Sequence, residues 1–375
     1  MGLFSKRPAA IPTDLAEWPG MDDNRMQAVN NAAPERMLSV MPAEWHPQRA
    51  VQLTWPHEDT DWAPRLAEAT DCFIRIAYEI SCVETVIIVC KDKEALSLLL
   101  HQRLPKHCID NIRLLECPTN DTWARDHGML TTMEEGEYVL HDFRFNGWGG
   151  KFESEKDNAI SRRLYDSGLL RGRYDDCLDF VLEGGSIESD GLGTLLTTSQ
   201  CLLNLNRNPQ MGKAEIEETI LTRLKARRLL WLDHGFMAGD DTDCHIDTLA
   251  RLCPNDTIVY VRCDDPADEH YEELRLMEEQ LRSMITLHGE PYRLLPLPMT
   301  PRLYDEEGRR LPATYANYLV INRRVLMPIY GDFALDEKAK MVIGKAFPNR
   351  EVIGIDCRIL VWQHGSLHCS TMQYY

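Results

Sequence analysis

Residues 66–115, LAEATDCFIRIAYEISCVETVIIVCKDKEALSLLLHQRLPKHCIDNIRLL, indicate the fold class, because helical and strand-like apolar patterns alternate within them. From Leu66 to Ile80 the apolar residues recur three or four positions apart, as on the buried face of a helix. The short apolar run Val86–Val89 is typical of a strand buried on both faces. A second helix over Lys93–Leu104 leads to a strand over Ile112–Leu115. The segment therefore predicts helices that connect neighbouring strands.

The same alternation continues to the end of the chain. Its predicted strands are Leu229–Leu232, Ile258–Val261, Tyr318–Ile321 and Val352–Ile355, and its predicted helices are Tyr271–Met284 and Asp336–Ala346. This order favours an α/β architecture built from short repeated units.

The balance of charged residues indicates which kinds of molecule the protein can bind. The chain has 375 residues, with 41 basic and 59 acidic side chains and a formal net charge of −18. Such a charge repels nucleic acid and favours a cationic substrate. The twelve cysteines are never closer than eight positions, so no Cys-x-x-Cys pair exists and we expect reduced thiols.

The chain ends and apolar runs bear on location. No apolar run approaches the roughly 20 residues of a membrane helix, and the N-terminus lacks the apolar segment of a secretory signal. We expect a cytoplasmic protein without a membrane partner. Residues 1–35 carry prolines and a polar tract without a period, and we expect an N-terminal extension before the patterned region 36–375.

Polar residues at regular intervals suggest a repeat. Asp126, Glu183, His245 and Cys369 are separated by 57, 62 and 124 residues, and the last gap is twice the one before it. A missing fifth position would fall in the loop 296–312, and counting back from Asp126 leads to Asp61. We hypothesise five similar modules in a ring, with both ends of the patterned chain in one module. One continuous parallel sheet would contradict this hypothesis.

The segment Thr122–Gly128 places an indole beside a carboxylate. Asp126 could pair with a planar cation while Trp123 stacks on its face. The alternative is a surface ion pair between Arg125 and Asp126 in a turn.

Glu183-Gly184-Gly185 follows the apolar run 180–182, at the expected end of a strand. A carboxylate there can orient a histidine, and glycine allows close approach of the backbone. An ordinary turn has the same composition.

The segment Asp240–Asp247 contains four aspartates and one histidine within eight residues. Read as extended chain, it points His245 and Asp247 to one side, so a base and an anion would face one site. A solvated acidic loop and a divalent metal site are the alternatives.

Cys369 follows the apolar run Ile359–Trp362, so we expect it beyond the end of a buried strand, on a loop containing Gly365. A thiol and the imidazole of His245 on separate segments are the pair that thiol hydrolases use. On a strand-like segment His368 would point away from Cys369, and we assign it a structural role. The alternative for Cys369 is a thiol packed in the core.

Together these segments resemble the agmatine deiminases of the Porphyromonas-type peptidylarginine deiminase family, one of the guanidino-group-modifying families. The resemblance covers about residues 36–375, and its motifs stand in the family's order. They are Met41-Pro42-Ala43-Glu44-Trp45, Thr54-Trp55-Pro56-His57, Trp123-Ala124-Arg125-Asp126, Leu182-Glu183-Gly184-Gly185-Ser186-Ile187, Asp241-Thr242-Asp243-Cys244-His245-Ile246-Asp247 and Gly365-Ser366-Leu367-His368-Cys369.

The resemblance implies a fold, a reaction and a set of roles. The fold would be a five-module α/β propeller, the pentein, with pseudo-fivefold symmetry and a central active site. Cys369 would be the nucleophile, His245 the general acid and base, and Glu183 the group that orients His245. Asp126 and Asp247 would hold the guanidinium. No metal or organic cofactor is expected.

The implied activity is that of a hydrolase acting on linear amidines. It would convert agmatine to N-carbamoylputrescine and ammonia through a covalent thiouronium, a step of putrescine synthesis. Asp241 would contact the distal amine of this small cationic substrate, although family members acting on agmatine tend to have Glu and Gly where this chain has Asp241 and Cys244.

Other activities remain open at this point. Within the family they are deimination of arginine or peptidyl arginine and amidino transfer. Outside it they are metal-dependent guanidine hydrolysis and non-catalytic binding of a guanidine or polyamine. The sequence leaves a homodimer open as well.

Overall fold

Strands and helices alternate through residues 39–375, the part of the chain that the computed structural model describes. The extension expected over residues 1–35, and residues 36–38, lie outside the described residues. The strands are β1 (Ser39–Val40), β2 (Ala50–Thr54), β3 (Thr85–Cys90), β4 (Ile112–Glu116), β5 (Leu130–Glu134), β6 (Glu137–Arg144), β7 (Arg173–Val181), β8 (Glu188–Ser189), β9 (Thr194–Thr198), β10 (Arg228–Leu232), β11 (Ala250–Cys253), β12 (Thr257–Arg262), β13 (Arg293–Pro298), β14 (Leu319–Ile321), β15 (Arg324–Ile329), β16 (Glu351–Asp356) and β17 (Thr371–Tyr374).

The helices lie between strands of the same sheet or in the links between sheets. They are α1 (Leu66–Ser81), α2 (Lys93–Arg103), α3 (Lys106–Ile109), α4 (Ala124–His127), α5 (Glu155–Asn158), α6 (Ile160–Asp166), α7 (Ser199–Leu202), α8 (Lys213–Arg223), α9 (Tyr271–Ser283), α10 (Phe333–Ala346) and α11 (Arg358–Val361). Short 3-10 turns cover Ala63–Arg65, Gly184–Ser186 and Ile246–Thr248, and a kinked turn covers Gly147–Gly150.

The described strands form five separate sheets. Their orders are β17-β2-β3-β4, β1-β5-β6-β7, β10-β9-β8, β11-β12-β13 and β14-β15-β16. The C-terminal strand β17 pairs antiparallel with β2, so the last strand joins a sheet formed by early strands, while the first described strand, β1, pairs with β5 in another sheet. The single continuous parallel sheet that would contradict a modular arrangement is not formed by residues 39–375.

Each step from one sheet to the next passes through a link that carries a polar residue. Asp126 lies between β4 and β5, Glu183 between β7 and β8, and His245 and Asp247 between β10 and β11. Cys369 lies between β16 and β17. The link from β13 to β14 contains Asn317, which the sequence did not single out.

Helix α1 shows how the apolar pattern is used. Its face formed by Ala69, Phe73, Ile76 and Ile80 is fully buried in the main hydrophobic core. Strand β3 beside it is buried along nearly all its length, as expected for a strand covered on both faces. Helix α2 begins at a side-chain cap, where Asp92 Oδ1 accepts a hydrogen bond from Ala95 N at 2.9 Å.

Three local predictions around the site are wrong. The run Ile359–Trp362 is mostly the short helix α11, and the strand β17 follows Cys369 instead of preceding it. His245 and Asp247 lie at a 3-10 turn and not on extended chain, and residues 367–370 form a turn. Short apolar runs do not distinguish a helix from a strand, which explains the first error.

None of the helices within residues 39–375 has both the length and the apolar character needed to span a membrane.

Candidate active site

Cys369 is buried at the wall of a cavity of about 240 Å³. Its sulfur lies 3.4 Å from Asn317 Oδ1 and 3.9 Å from Asp247 Oδ2. Burial first, and then the negative charges of Asp247 and Asp126, raise the pKa of the Cys369 thiol well above its ordinary value. Without a bound cation, the sulfur is therefore a thiol at neutral pH. Cys369 belongs to the main hydrophobic core, but its sulfur lies beside polar oxygens and the residue lines the cavity, so it is not enclosed in hydrocarbon alone.

Asn317 holds the turn that presents this sulfur. Its Oδ1 accepts hydrogen bonds from the backbone N–H groups of His368 at 2.9 Å and Cys369 at 3.3 Å. The fifth polar position expected in the loop 296–312 is thus found a few residues later, in the same link between sheets. The residues before it, Ala313-Thr314-Tyr315-Ala316, carry no glycine or acidic signal that could have pointed to Asn317.

Asp126 is buried with both carboxylate oxygens in contact with donors. Trp148 Nε1 donates to Oδ2 at 3.0 Å and the backbone N–H of Gly185 donates to Oδ1 at 3.1 Å. The surface ion pair considered for Arg125 and Asp126 is wrong, because both side chains are buried and Arg125 donates to Gln373 instead.

Asp247 is fully buried and only half satisfied. His368 Nδ1 lies 2.8 Å from its Oδ2, while its Oδ1 has no hydrogen-bond partner among the described residues. Burial opposes its negative charge, but the hydrogen bond and charge of His368, with the charges of His245 and Arg251, lower its pKa. Asp247 is therefore an anion with a free acceptor, and such a buried atom calls for a ligand.

His245 is buried with neither ring nitrogen hydrogen-bonded within the described residues. Its Nδ1 lies 3.6 Å from Asp126 Oδ1. Burial lowers its pKa, but the carboxylate of Asp126, the neighbouring Cys201 sulfur and the carboxylate of Glu183 outweigh burial and raise the pKa to about 10. The ring is therefore an imidazolium at neutral pH, able to give up a proton.

Glu183 is fully buried and is held by Arg207. Arg207 Nε donates to its two carboxylate oxygens at 3.0 and 2.9 Å. A carboxylate oxygen of Glu183, the sulfur of Cys201 and a ring nitrogen of His245 lie within 4.8 Å of one another. Glu183 thus acts on His245 through its charge here, and Arg207 and Cys201 are neighbours that the sequence did not reveal.

These three ligand atoms also form a group that could hold a metal ion. A cation bound to Glu183 would have to compete with the buried guanidinium of Arg207, which already engages both carboxylate oxygens. The fit is therefore poor on electrostatic grounds.

The acidic segment Asp240–Asp243 has its repulsion relieved by protein groups. Asp243 Oδ2 pairs with Arg207 Nη1 at 2.7 Å, and its Oδ1 pairs with Lys151 Nζ at 2.8 Å. Asp240 accepts hydrogen bonds from Thr242 Oγ1 and from Cys244 N. The cation that this cluster required is supplied by Arg207 and Lys151, which weakens the metal interpretation.

Gly185 allows the charged groups to approach one another. A Cβ at this position would lie 2.6 Å from His245 Nδ1, 2.8 Å from Asp126 Oδ1 and 3.2 Å from Asp247 Oδ2. A side chain at Gly185 would therefore collide with the imidazole and both carboxylates.

Trp123 forms an aromatic part of the cavity wall, together with Trp148, Phe152 and Trp362. Gly365 lies against the Trp123 ring, since a Cβ at Gly365 would come within 2.3 Å of two ring carbons. The indole is therefore fixed with little freedom to turn.

Four further aspartates line the cavity wall. Asp61, Asp121, Asp240 and Asp241 line it beside Asp126, and the wall formed by described residues includes neither Lys nor Arg. Asp241 is partly exposed, and His364 Nδ1 lies 3.7 Å from it. Burial raises the pKa of Asp241, and it raises the pKa of Asp121 to about 6. The cavity thus suits a flat cation at the Cys369 end and a second positive charge farther out.

Known proteins with similar sequences and structures identify a family. The Porphyromonas-type peptidyl-arginine deiminase family profile matches residues 40–374. A protein from Marinomonas sp. provisionally named as an agmatine deiminase is 32% identical over 357 residues, which cover 89% of this chain and 93% of the relative.

Two crystal structures are also similar. One, from Porphyromonas gingivalis and provisionally named as an arginine deiminase, is 51% identical with a TM-score of 0.85, covering 90% of this chain and 98% of that one. A substrate-bound agmatine deiminase variant from C. jejuni is 38% identical with a TM-score of 0.82, covering 90% of this chain and 96% of that one.

Proposed function

The chain belongs to the Porphyromonas-type peptidyl-arginine deiminase family, and from this membership we propose that it hydrolyses agmatine to N-carbamoylputrescine and ammonia, as a step towards putrescine. It is a hydrolase that acts on guanidino groups. The observation that carries the proposal is the buried group of Cys369, His245, Asp126 and Asp247, in which Asp247 Oδ1 and both ring nitrogens of His245 have no hydrogen-bond partner among the described residues.

Binding uses the two carboxylates. The guanidinium nitrogens donate to Asp247 Oδ1, which has no partner among the described residues, and to Asp126. Charge pairing on both sides localises the delocalised positive charge and fixes the guanidinium carbon towards the sulfur. The Trp123 ring, which forms part of the cavity wall, restricts where the flat guanidinium group can lie.

Activation of the thiol follows from the same pairing. Asp126 and Asp247 disfavour a thiolate while they are unpaired. A bound guanidinium neutralises them, so the thiol pKa falls when substrate arrives. Cys369 then loses its proton to solvent water, because His245 already carries a proton, and the thiolate attacks the guanidinium carbon.

His245 serves both halves of the reaction. As the carbon–nitrogen bond breaks, the imidazolium donates its proton to the departing ammonia, and a thiouronium remains on Cys369. Water then attacks the thiouronium carbon and gives a proton to the neutral imidazole. As the carbon–sulfur bond breaks, the hydroxyl proton of the tetrahedral intermediate passes to the Cys369 sulfur, and the ureido product is released. Glu183 maintains the basicity of His245 through its charge.

The distal end of the substrate favours agmatine. Arginine would bring a carboxylate into a wall lined by Asp61, Asp121, Asp240 and Asp241, where like charges repel. Agmatine brings an ammonium to the same place, where Asp241, a partly exposed residue of the wall, would contact it. The similarity to the P. gingivalis protein makes arginine the second candidate substrate.

The fold is an α/β fold of the pentein type, as in the similar structures. We propose in addition that its five sheets are five copies of one module arranged with pseudo-fivefold symmetry around the site. The five links that carry Asp126, Glu183, the pair His245 and Asp247, Asn317, and Cys369 support this arrangement. Superposing each sheet and its following link on the next by one repeated rotation of about 72° would test it.

Steady-state ammonia release tests the activity. Agmatine should give a higher kcat/KM than arginine or a peptidyl arginine, and Cys369→Ala should release no ammonia while still binding guanidine. Cys263→Ala, which removes a buried thiol that donates to the Asp265 carbonyl, is the matched control and should retain activity. Higher kcat/KM for arginine would overturn the agmatine assignment, and wild-type turnover by Cys369→Ala would overturn the mechanism.

A further inference from the structure

Cys82 differs from every other cysteine in the chain. It is partly exposed, whereas the other eleven are buried. It follows the last residue of α1, and its sulfur lies 3.8 Å from the sulfur of Cys108 on α3. Neither residue belongs to the cavity around Cys369. The chain therefore holds a second, more accessible thiol with a sulfur neighbour.

The surroundings of this pair stabilise a negative charge on one sulfur. A ring nitrogen of His107 and the sulfurs of Cys82 and Cys108 lie within 4.8 Å of one another, and Arg324 lies close by, donating to Glu79 Oε2 at 2.9 Å. The hydrogen bond from Cys108 lowers the pKa of Cys82 most, burial opposes it, and His107 and Arg324 add to the lowering, which brings the pKa to about 5. The same contact raises the pKa of Cys108.

The pair thus combines an accessible thiolate with a neighbouring thiol. A low-pKa, solvent-accessible sulfur next to a second cysteine is the arrangement of peroxide-reactive thiols. Cys369 presents the opposite case, because it is buried among carboxylates that disfavour its thiolate. Thiol chemistry outside the active site should therefore begin at Cys82.

We propose that Cys82 and Cys108 are a redox-active pair that a hydroperoxide converts to a disulfide. This site is independent of the proposed function. The Cys82 sulfur attacks the peroxide, the O–O bond breaks, and the leaving oxygen departs as an alcohol or water after taking up a proton. Cys82 is then a sulfenic acid.

The second step closes the bridge. The Cys108 sulfur loses its proton and attacks the sulfenic sulfur, the S–O bond breaks, and the hydroxide takes that proton and leaves as water. Two thiols and one hydroperoxide thus give one disulfide, one alcohol or water, and one further water. The sulfurs need to close from 3.8 Å to a bond of about 2.05 Å, a small movement at the helix end.

Peptide mapping under non-reducing conditions tests this proposal on the full chain treated with limiting hydrogen peroxide. We expect a Cys82–Cys108 cross-link to form before Cys369 is oxidised, and a thiol reductant to reverse it. In Cys108→Ser the cross-link should be absent and Cys82 should be trapped as a sulfenic acid by dimedone. Cys357→Ser removes a buried thiol beside Cys72 and should leave the cross-link unchanged.

Two results would overturn the proposal. One is oxidation of Cys369 or of the buried cysteines at least as fast as that of Cys82, with no cross-link. The other is stoichiometric Zn²⁺ in the purified protein that is lost in Cys82→Ser and that prevents the cross-link, which would make Cys82, His107 and Cys108 a metal site.

Discussion

His368 Nδ1 lies 2.8 Å from Asp247 Oδ2, the oxygen that also lies 3.9 Å from the sulfur of Cys369. On its other side, His368 Nε2 lies 3.1 Å from Glu44 Oε2 and 3.1 Å from Arg251 Nη2. A buried network through His368 thus fixes Asp247 by its Oδ2, while Oδ1 has no partner among the described residues and can accept from a ligand. His368 is a positioning residue for the carboxylate, a more specific role than its place in the sequence suggested.

Removing this contact should affect binding more than chemistry. In His368→Ala, Asp247 loses the hydrogen bond that lowers its pKa, so KM for agmatine should rise by about tenfold or more, since a hydrogen bond to a charged group contributes about 1.5–3 kcal/mol. The kcat value should change less. His368→Asn retains an N–H donor and should restore most of the affinity, which steady-state kinetics on both variants would show. An unchanged KM in His368→Ala would contradict the role.

Removing a carboxylate near Cys369 should make its thiol more reactive. Because Asp126 helps to raise the thiol pKa, Asp126→Asn should lower it and increase alkylation of Cys369 by iodoacetamide at pH 8, on the order of tenfold for each unit of pKa. Asp61→Asn, at the same cavity wall, is the matched control and should change the rate little.

This measurement needs peptide-resolved mass spectrometry, because Cys82 will react as well. Slower alkylation of Cys369 in Asp126→Asn than in the wild type would show that the carboxylate does not suppress the thiolate.

Gly185→Ala should impair catalysis because the added methyl group collides with the His245 ring and the two carboxylates. The added methyl group would displace His245 or the carboxylates, and a displacement of about 1 Å can reduce kcat/KM on the order of a hundredfold. Gly344→Ala on α10 is the control, because a Cβ there meets nothing within 4 Å. It should leave activity unchanged and raise the free energy of unfolding by about 0.5–1 kcal/mol. Equal kinetics for the two variants would contradict the crowding at Gly185.

Sequence reasoning succeeded where a pattern is long or is repeated. The helix from Leu66 was predicted because its apolar period continues for several turns. The strand over Val86–Val89 was predicted because its residues are all apolar. The residues Asp126, Asp247 and Cys369 were recognised because they stand in motifs that resemble those of the family, and the structure places Asp126 and Cys369 at one cavity with Asp247 beside the Cys369 sulfur.

The remaining site residues gave no such signal. Asn317 reaches Cys369 from a link without acidic or glycine residues, and Arg207 pairs with Glu183 across 24 positions. Within residues 39–375, tertiary packing leaves Asp247 Oδ1 and the His245 ring without hydrogen-bond partners, and no local pattern encodes this. The turn at His245 was misjudged because a short polar segment has no period to distinguish a 3-10 turn from extended chain.

The most direct test of the central claim is to quench the enzyme with acid during turnover of agmatine and to locate any substrate-derived adduct by peptide mass spectrometry. The mechanism predicts an adduct on Cys369 whose mass equals that of agmatine less ammonia, present in the wild type and absent from Cys369→Ala. Steady ammonia release with no adduct on Cys369, or with an adduct on another residue, would contradict it.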